Sequence, residues 1–214
     1  MKLRQTVLLG FGLALSFATA WADGDAARGK TLAYTCHGCH GIPNYKNAAP
    51  MYSVPKLGAQ SADYMITALQ EYASGDRVHP TMHAHAASNS EQDRADIAAY
   101  FHGNQTANAN QPVVGTPPTI VSKVCVACHG TNGVGTAPIY PTLAGQHADY
   151  IAQALRDYKS GKRKNAIMSS ILSDKAEDAV KVRDEDIPAI AAFFSKQKVL
   201  CGTDEIRDNA GKCK

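Results

Sequence analysis

The chain has 214 residues, 44% of them hydrophobic and 19% charged. These are the proportions of a globular protein and exclude a disordered chain or a coiled coil. A formal net charge of +3 gives no strong basic field, so nucleic acid is not an expected partner. The six Cys and eight His are the counts that carry information.

Residues 1–22 read as a cleaved signal peptide. Lys2 and Arg4 precede an apolar run from Val7 to Phe17, and Ala20-Trp21-Ala22 has the small-x-small form of a cleavage site. The run is shorter than the roughly 20 residues that span a bilayer, and no Cys near the cleavage point offers a lipid anchor. The mature chain, Asp23 to Lys214, is expected in the periplasm. Free thiols are not expected to persist in such an oxidising compartment.

Asp25 to Tyr34 is a candidate helix leading into Cys36-His37-Gly38-Cys39-His40. Ala62 to Ala73 places Met65, Ile66, Leu69 and Tyr72 at helical spacing, with Gly75 beyond the end. Glu91 to His102 closes this half as a helix. Gly103 to Pro118 is uncharged, carries three Pro and reads as linker. A short helix, Thr119 to Val124, then leads into Cys125-Val126-Ala127-Cys128-His129. Tyr150, Ile151, Leu155 and Tyr158, ended by Gly161, repeat the central helix, and Asp184 to Lys196 repeats the closing one. No run alternates as a strand does, so the fold class is all-α.

The two halves are one domain duplicated. Pro55 to Met82 and Pro141 to Met168 match at 13 of 28 positions without a gap, at an offset of 86. The expected divisions are domain 1 over 23–103, a linker over 104–118, domain 2 over 119–200 and a tail over 201–214.

Cys-x-x-Cys-His is the signature of covalent c-type haem attachment. Two thiols three residues apart lie on one helical turn, where each can bond one vinyl group, and the following His turns its imidazole to the iron. A redox dithiol would sit near a βαβ pattern, which is lacking, and a zinc site would leave both His unexplained. Two haem c groups are therefore expected, attached through Cys36, Cys39, Cys125 and Cys128, with His40 and His129 as proximal ligands.

The repeat also selects the distal ligands. Met51 aligns with Ile139 and Met65 with Ile151, so core packing is expected of both methionines. Only Met82 and Met168 align with each other. They are the expected sixth ligands, in irregular segments after Ser-Gly-x-Arg. His79, His83 and His85 surround Met82 and leave a His ligand open as the alternative there.

Each half resembles a small class I cytochrome c domain, and the whole mature chain resembles the dihaem cytochrome c4 family. The resemblance rests on Cys-x-x-Cys-His, Ala-Pro-x-Tyr, Leu-x-x-Gln-x-x-x-Tyr, Ser-Gly-x-Arg and a Met, and above all on Leu-Ala-Gly-Gln-His-Ala-Asp-Tyr at 143–150. It implies the same roles for Met82 and Met168. It also implies that Pro50 and Pro138 offer their carbonyls to the proximal His rings, and that Gly29 permits a close helix crossing, for which Pro118 stands in domain 2. Gln60/Gln146, Tyr64/Tyr150, Tyr72/Tyr158 and Arg77/Arg163 either hold haem propionates or pack and cap helices.

Cys201 and Cys213 lie outside both repeats, where a disulfide is the default and a thiolate haem ligand the alternative. Two irons with His and Met ligands have no open position, which argues for an electron carrier and against an enzyme. A peroxidase-like reading would need an exchangeable ligand at the first haem. The resemblance implies redox partners such as a quinol-oxidising bc complex and a terminal oxidase. The alternative is the electron-transfer subunit of a periplasmic sulfur- or nitrogen-compound dehydrogenase. Lys159, Lys162, Arg163 and Lys164 form a candidate cluster for steering an acidic partner.

Overall fold

The computed structural model describes residues 24–103, 109–173, 175 and 181–198. The expected signal peptide and the Cys201/Cys213 tail lie outside the described residues. Within them the regular elements are helical, and β-pairing is confined to isolated bridges at Lys46–Ser53 and Arg77–Arg163. None of the described helices is long and apolar enough to cross a membrane.

In the first domain, Asp25 caps α1 (Ala26–Leu32) by accepting the Ala27 and Arg28 amides. A 3-10 turn, Ala33–Cys36, continues into α2 (His37–His40). Ser61 caps α3 (Ala62–Ser74), which ends at Gly75 with φ 85°, a conformation glycine adopts without Cβ strain. Next come α4 (Pro80–Ala87) and α5 (Glu91–His102), the latter opened by a Ser90/Asp93 capping box. α1 lies across α5 and buries Ala33, Ile97, Ala98 and Phe101 with Met65 of α3. The crossing is set at Gly29, where an added Cβ would stand 1.9 Å from the Asp96 carbonyl oxygen. The expected role of Gly29 thus has a geometric cause.

The second domain closes the same corner differently. A π-helical turn, Val121–Cys125, leads into α6 (Val126–His129). α7 (Ala148–Lys159) and α8 (Ala166–Ile171) follow, and a 3-10 turn at Asp184–Asp186 opens α9 (Ile187–Lys196). α7 packs on α9 around Ile151, Leu155, Ile187, Ile190 and Phe194. Burying such a side chain stabilises by roughly 1.5–3 kcal/mol. The chain before Pro118 lies along this core as a strap. Gln197, 2% exposed, accepts the Val114 amide at 2.9 Å and donates to the Val114 carbonyl at 3.0 Å. Asn132 donates to the carbonyls of Ala109 and Gln111.

The domains meet through contacts that repeat at the offset of 86. Gln60 donates to the Thr142 carbonyl at 2.9 Å and accepts the Thr142 amide at 2.8 Å. Gln146 does the same to Lys56, at 3.0 and 2.9 Å. Val78 donates to the Lys162 carbonyl and Lys164 to the Asp76 carbonyl, at 2.9 and 2.7 Å. Each bond has a partner with the domains exchanged, which is the pattern of a pseudo-twofold axis.

Three expectations change. Met82 and Met168 lie on the short helices α4 and α8, not in irregular segments. Met51 is 75% exposed and its counterpart Ile139 59%, so surface position rather than core packing explains that pair, whereas Met65 is buried. The basic cluster does not form one exposed patch. Arg163 is buried between the domains, Lys159 pairs with Asp184 at 2.8 Å and Lys164 lies 3.8 Å from Asp76.

Candidate functional site

Each domain presents one site of the same construction. Cys36 ends the 3-10 turn, and Cys39 and His40 follow on α2; Cys125 ends the π turn, and Cys128 and His129 follow on α6. All four thiols are half-buried and free. Burial raises the Cys36 thiol and pushes Cys125 up to about 12. A redox dithiol needs the reverse, a thiol lowered to favour its thiolate. Among the described residues no three His, Cys, Asp or Glu side chains gather as a zinc site requires.

The imidazoles are anchored from behind. His40 Nδ1 lies 2.8 Å from the Pro55 carbonyl oxygen and His129 Nδ1 2.9 Å from that of Pro141. A carbonyl only accepts, so Nδ1 carries the proton in both rings. Burial pushes His40 down to about 4, against the opposing pull of the Pro55 bond, and burial likewise lowers His129. Both rings are therefore neutral at pH 7, with the Nε2 lone pair left for a metal.

These acceptors correct the expectation of Pro50 and Pro138. The carbonyl of Pro138 instead accepts Ser61 Oγ across the domain interface. The missed signal was register. Pro55 and Pro141 head the ungapped repeat at its offset of 86, whereas Pro50 and Pro138 stand outside it.

The methionines are held in matched ways by unlike residues. His79 Nδ1 accepts the Met82 amide at 3.2 Å, and Asn165 Oδ1 accepts the Met168 amide at 3.2 Å. His79 and Asn165 are repeat-equivalent. His79 Nε2 lies 3.1 Å from Asn47 Oδ1, so both ring nitrogens are engaged. His83 is tied through Nδ1 to the Tyr72 carbonyl at 2.9 Å. His79 and His85, which flank Met82, are near enough to His40 for their charges to lower its pKa, which brings α4 to the His40 side of the domain. Met82 and Met168 are both half-buried, and Met168 packs against the second core.

The remaining matched residues gather between the domains. Arg77 and Arg163, each 6% exposed, lie on opposed backbone segments. Both donate to the Tyr64 hydroxyl, at 3.2 and 2.7 Å. Arg77 stacks 4.8 Å from the Tyr72 ring centre and Arg163 4.5 Å from that of Tyr158. Burial pushes the Tyr64 hydroxyl up, but the two guanidiniums carry it below the ordinary phenol value. Nε of each Arg is buried without a hydrogen-bond partner. Gln60 and Gln146 are occupied by the interface instead.

The two sites fit haem c. Paired thiols stand one turn apart, neutral imidazoles keep Nε2 available, and buried guanidinium N–H groups lack an acceptor such as a propionate supplies.

The Cytochrome c family pattern matches residues 26–105 and 118–198. The chain is 34% identical over 213 residues to cytochrome c4 of Pseudomonas aeruginosa, covering 90% of this chain and 97% of that one. It is 28% identical to a thiosulfate dehydrogenase electron acceptor of Stutzerimonas stutzeri, over 86% of this chain and 90% of that one. The crystal structure of reduced recombinant cytochrome c4 from Pseudomonas stutzeri superposes with a TM-score of 0.60 at 28% identity, over 81% of this chain and 99% of that one. With two tandem domains and two attachment motifs, the chain belongs to the cytochrome c4 family: it is a dihaem electron-transfer protein, not an enzyme, carrying two covalently bound haem c groups.

Proposed function

We propose that this protein carries single electrons in the periplasm, with Cys36 and Cys39 attaching one haem, Cys125 and Cys128 the other, and axial pairs His40/Met82 and His129/Met168. The observation that carries the reading is the pair of anchored neutral imidazoles, matched by the repeat to two methionines held through equivalent caps. When bound, each haem iron supplies one-electron redox chemistry, and a thioether ligand raises its potential. The chain's own residues do the rest. The Pro55 and Pro141 carbonyls fix each imidazole and its tautomer. The α4 and α8 caps hold each Met backbone. The apolar cores exclude water, and the Arg77/Arg163 pair receives negative charge between the domains.

The partners proposed are membrane respiratory complexes, a quinol-oxidising bc complex as donor and a terminal oxidase as acceptor. A second reading, service to a periplasmic sulfur-compound dehydrogenase, is favoured by the likeness to a thiosulfate dehydrogenase electron acceptor. A spectroscopic redox titration of the purified protein tests the ligands. Two haems and a Met–iron charge-transfer band at both are expected; a site lacking the band overturns its Met assignment. Co-purification in fixed ratio with a dehydrogenase would decide for the second reading.

A further inference from the structure

The pseudo-symmetry between the domains is broken in how the acid ahead of each interface arginine is placed. Glu71 and Asp157 are equivalent in the repeat, each six residues before the interface arginine of its own domain. Glu71 reaches Arg77, with Oε2 2.9 Å from Nη2, and both side chains are largely buried. Asp157 is one methylene shorter. Its carboxylate accepts Gln153 Nε2 at 2.8 Å instead, and among the described residues no carboxylate pairs with Arg163. Among the described side chains, Arg163 is held by the Tyr64 hydroxyl and the Tyr158 face. One interface guanidinium is thus neutralised by the chain and its twin is not.

We propose that Glu71 and Asp157 are positioning residues that set the two haem potentials apart. The inference rests on the haem ligation given under Proposed function. Reduction adds one negative charge to a haem. A buried cation lacking a carboxylate stabilises that added charge, and a cation already paired stabilises it less. Each arginine stands five residues before the Met of its own domain. Each guanidinium also lies over a tyrosine ring on the central helix of its own domain, Arg77 over Tyr72 of α3 and Arg163 over Tyr158 of α7. The bare Arg163 therefore favours reduction of the second-domain haem, and the Glu71–Arg77 pair leaves the first-domain haem the weaker oxidant. Tyr64 does not cancel the difference, because its hydroxyl accepts from both arginines.

The test is a potentiometric titration of the intact dihaem protein and its variants. The two waves are assigned by Met82→His, which displaces only the first-domain wave. Glu71→Gln keeps the side-chain shape and removes the charge. It should raise the reduced-to-oxidised ratio of the first haem on the order of tenfold at fixed poise, a shift of about 59 mV for one electron. The second haem should move less. Asp157→Glu should act from the other side, lengthening the acid toward Arg163 and lowering the second potential. Both variants narrow the gap. A gap unchanged in both, or both waves moving equally, would overturn the proposal, since a merely structural role would not act on the difference. The Met–iron band, recorded in the same samples, keeps this separate from the ligation: bands retained with no change in gap sinks the tuning role alone.

Discussion

Replacing Gly29 by Ala should destabilise the first domain by about 3 kcal/mol or more. The added Cβ would lie 1.9 Å from the Asp96 carbonyl oxygen, 2.5 Å from its carbon and 3.0 Å from the Tyr100 Cβ. Ordinary non-bonded contact needs about 3.5 Å, and the nearest obstacles are backbone atoms that no rotamer change can move. α1 and α5 must therefore separate by roughly 1 Å or more, which forfeits up to about half the dispersion energy of atoms along the seam. Separation also strains the bonds that the Asp96 carboxylate, 1% exposed, makes with the Asp25 amide and Arg28. Weakening a buried charged hydrogen bond costs about 1.5–3 kcal/mol, and overpacking adds about 1–3. Against this, Ala is the better helix former by about 1 kcal/mol. The net is a large part of a typical domain stability of about 5–15 kcal/mol. Urea unfolding of the holoprotein, followed by far-UV circular dichroism and Soret absorbance, should show an earlier transition with the midpoint lowered by about 1–2 M. A midpoint within about 0.3 M of wild type would show that the backbone contact at Gly29 does not limit the crossing.

Gln197→Ala should cost the second domain about 2–3 kcal/mol, read from the same urea curves, because the Val114 amide and carbonyl lose their side-chain partner. Burial pushes the Asp96 carboxyl up, and its bonds to Arg28 and Asp25 carry it below the ordinary range; Ser90 and Arg28 take Asp93 down to about 2. Both carboxylates therefore stabilise fully above the unfolded value near 3.9. That stability is lost as pH falls through each lowered folded value, about 2 for Asp93, so thermal melts of Asp96→Asn should show a shallower acid dependence than wild type. Met82→Ala and Met168→Ala should each admit carbon monoxide to one ferrous iron and lower that haem's potential; an unchanged spectrum in Met82→Ala would mean that Met82 is not the ligand. Gln60→Ala should cost about 2 kcal/mol through the orphaned Thr142 backbone, measured as a fall in the temperature at which the two domains melt together.

The parts that the sequence made legible are those written locally or written twice. Cys-x-x-Cys-His states its chemistry within five residues, and the 86-residue register separates Met82 and Met168 from Met51 and Met65. The four long helices, α3, α5, α7 and α9, were readable from apolar spacing, end signals and the repeat; α5 runs from Glu91 to His102 as expected. The losses have distinct physical causes. Every residue carries a carbonyl, so composition alone cannot choose Pro55 over Pro50 as acceptor. His79 and Asn165 cap equivalent helices with different side chains, and a comparison of identities passes over equal roles. The strap at Val114 was masked by its polar, proline-rich composition, because what docks it is one glutamine 83 residues away. Lys159 to Lys164 looked like an exposed basic patch because a linear count of charge ignores the surface of the other domain.

That other surface also explains why so many side chains are identical in the two halves. A residue needed only inside its own domain can drift when its neighbours drift with it. A residue that meets its own counterpart across a pseudo-twofold axis, or the equivalent backbone of the other domain, answers to two environments at once. Gln60 and Gln146 grip Thr142 and Lys56 through main-chain atoms, so the partner side chains differ freely while the glutamines do not. Arg77 and Arg163 share one phenol, Tyr64, although Tyr150 is its equivalent. The segments bearing these arginines run on within five residues to Met82 and Met168. In each half the domain contact is therefore joined to α4 or α8 by a few residues of chain. Strain at the shared interface is thus only five residues of chain away from each of these methionines.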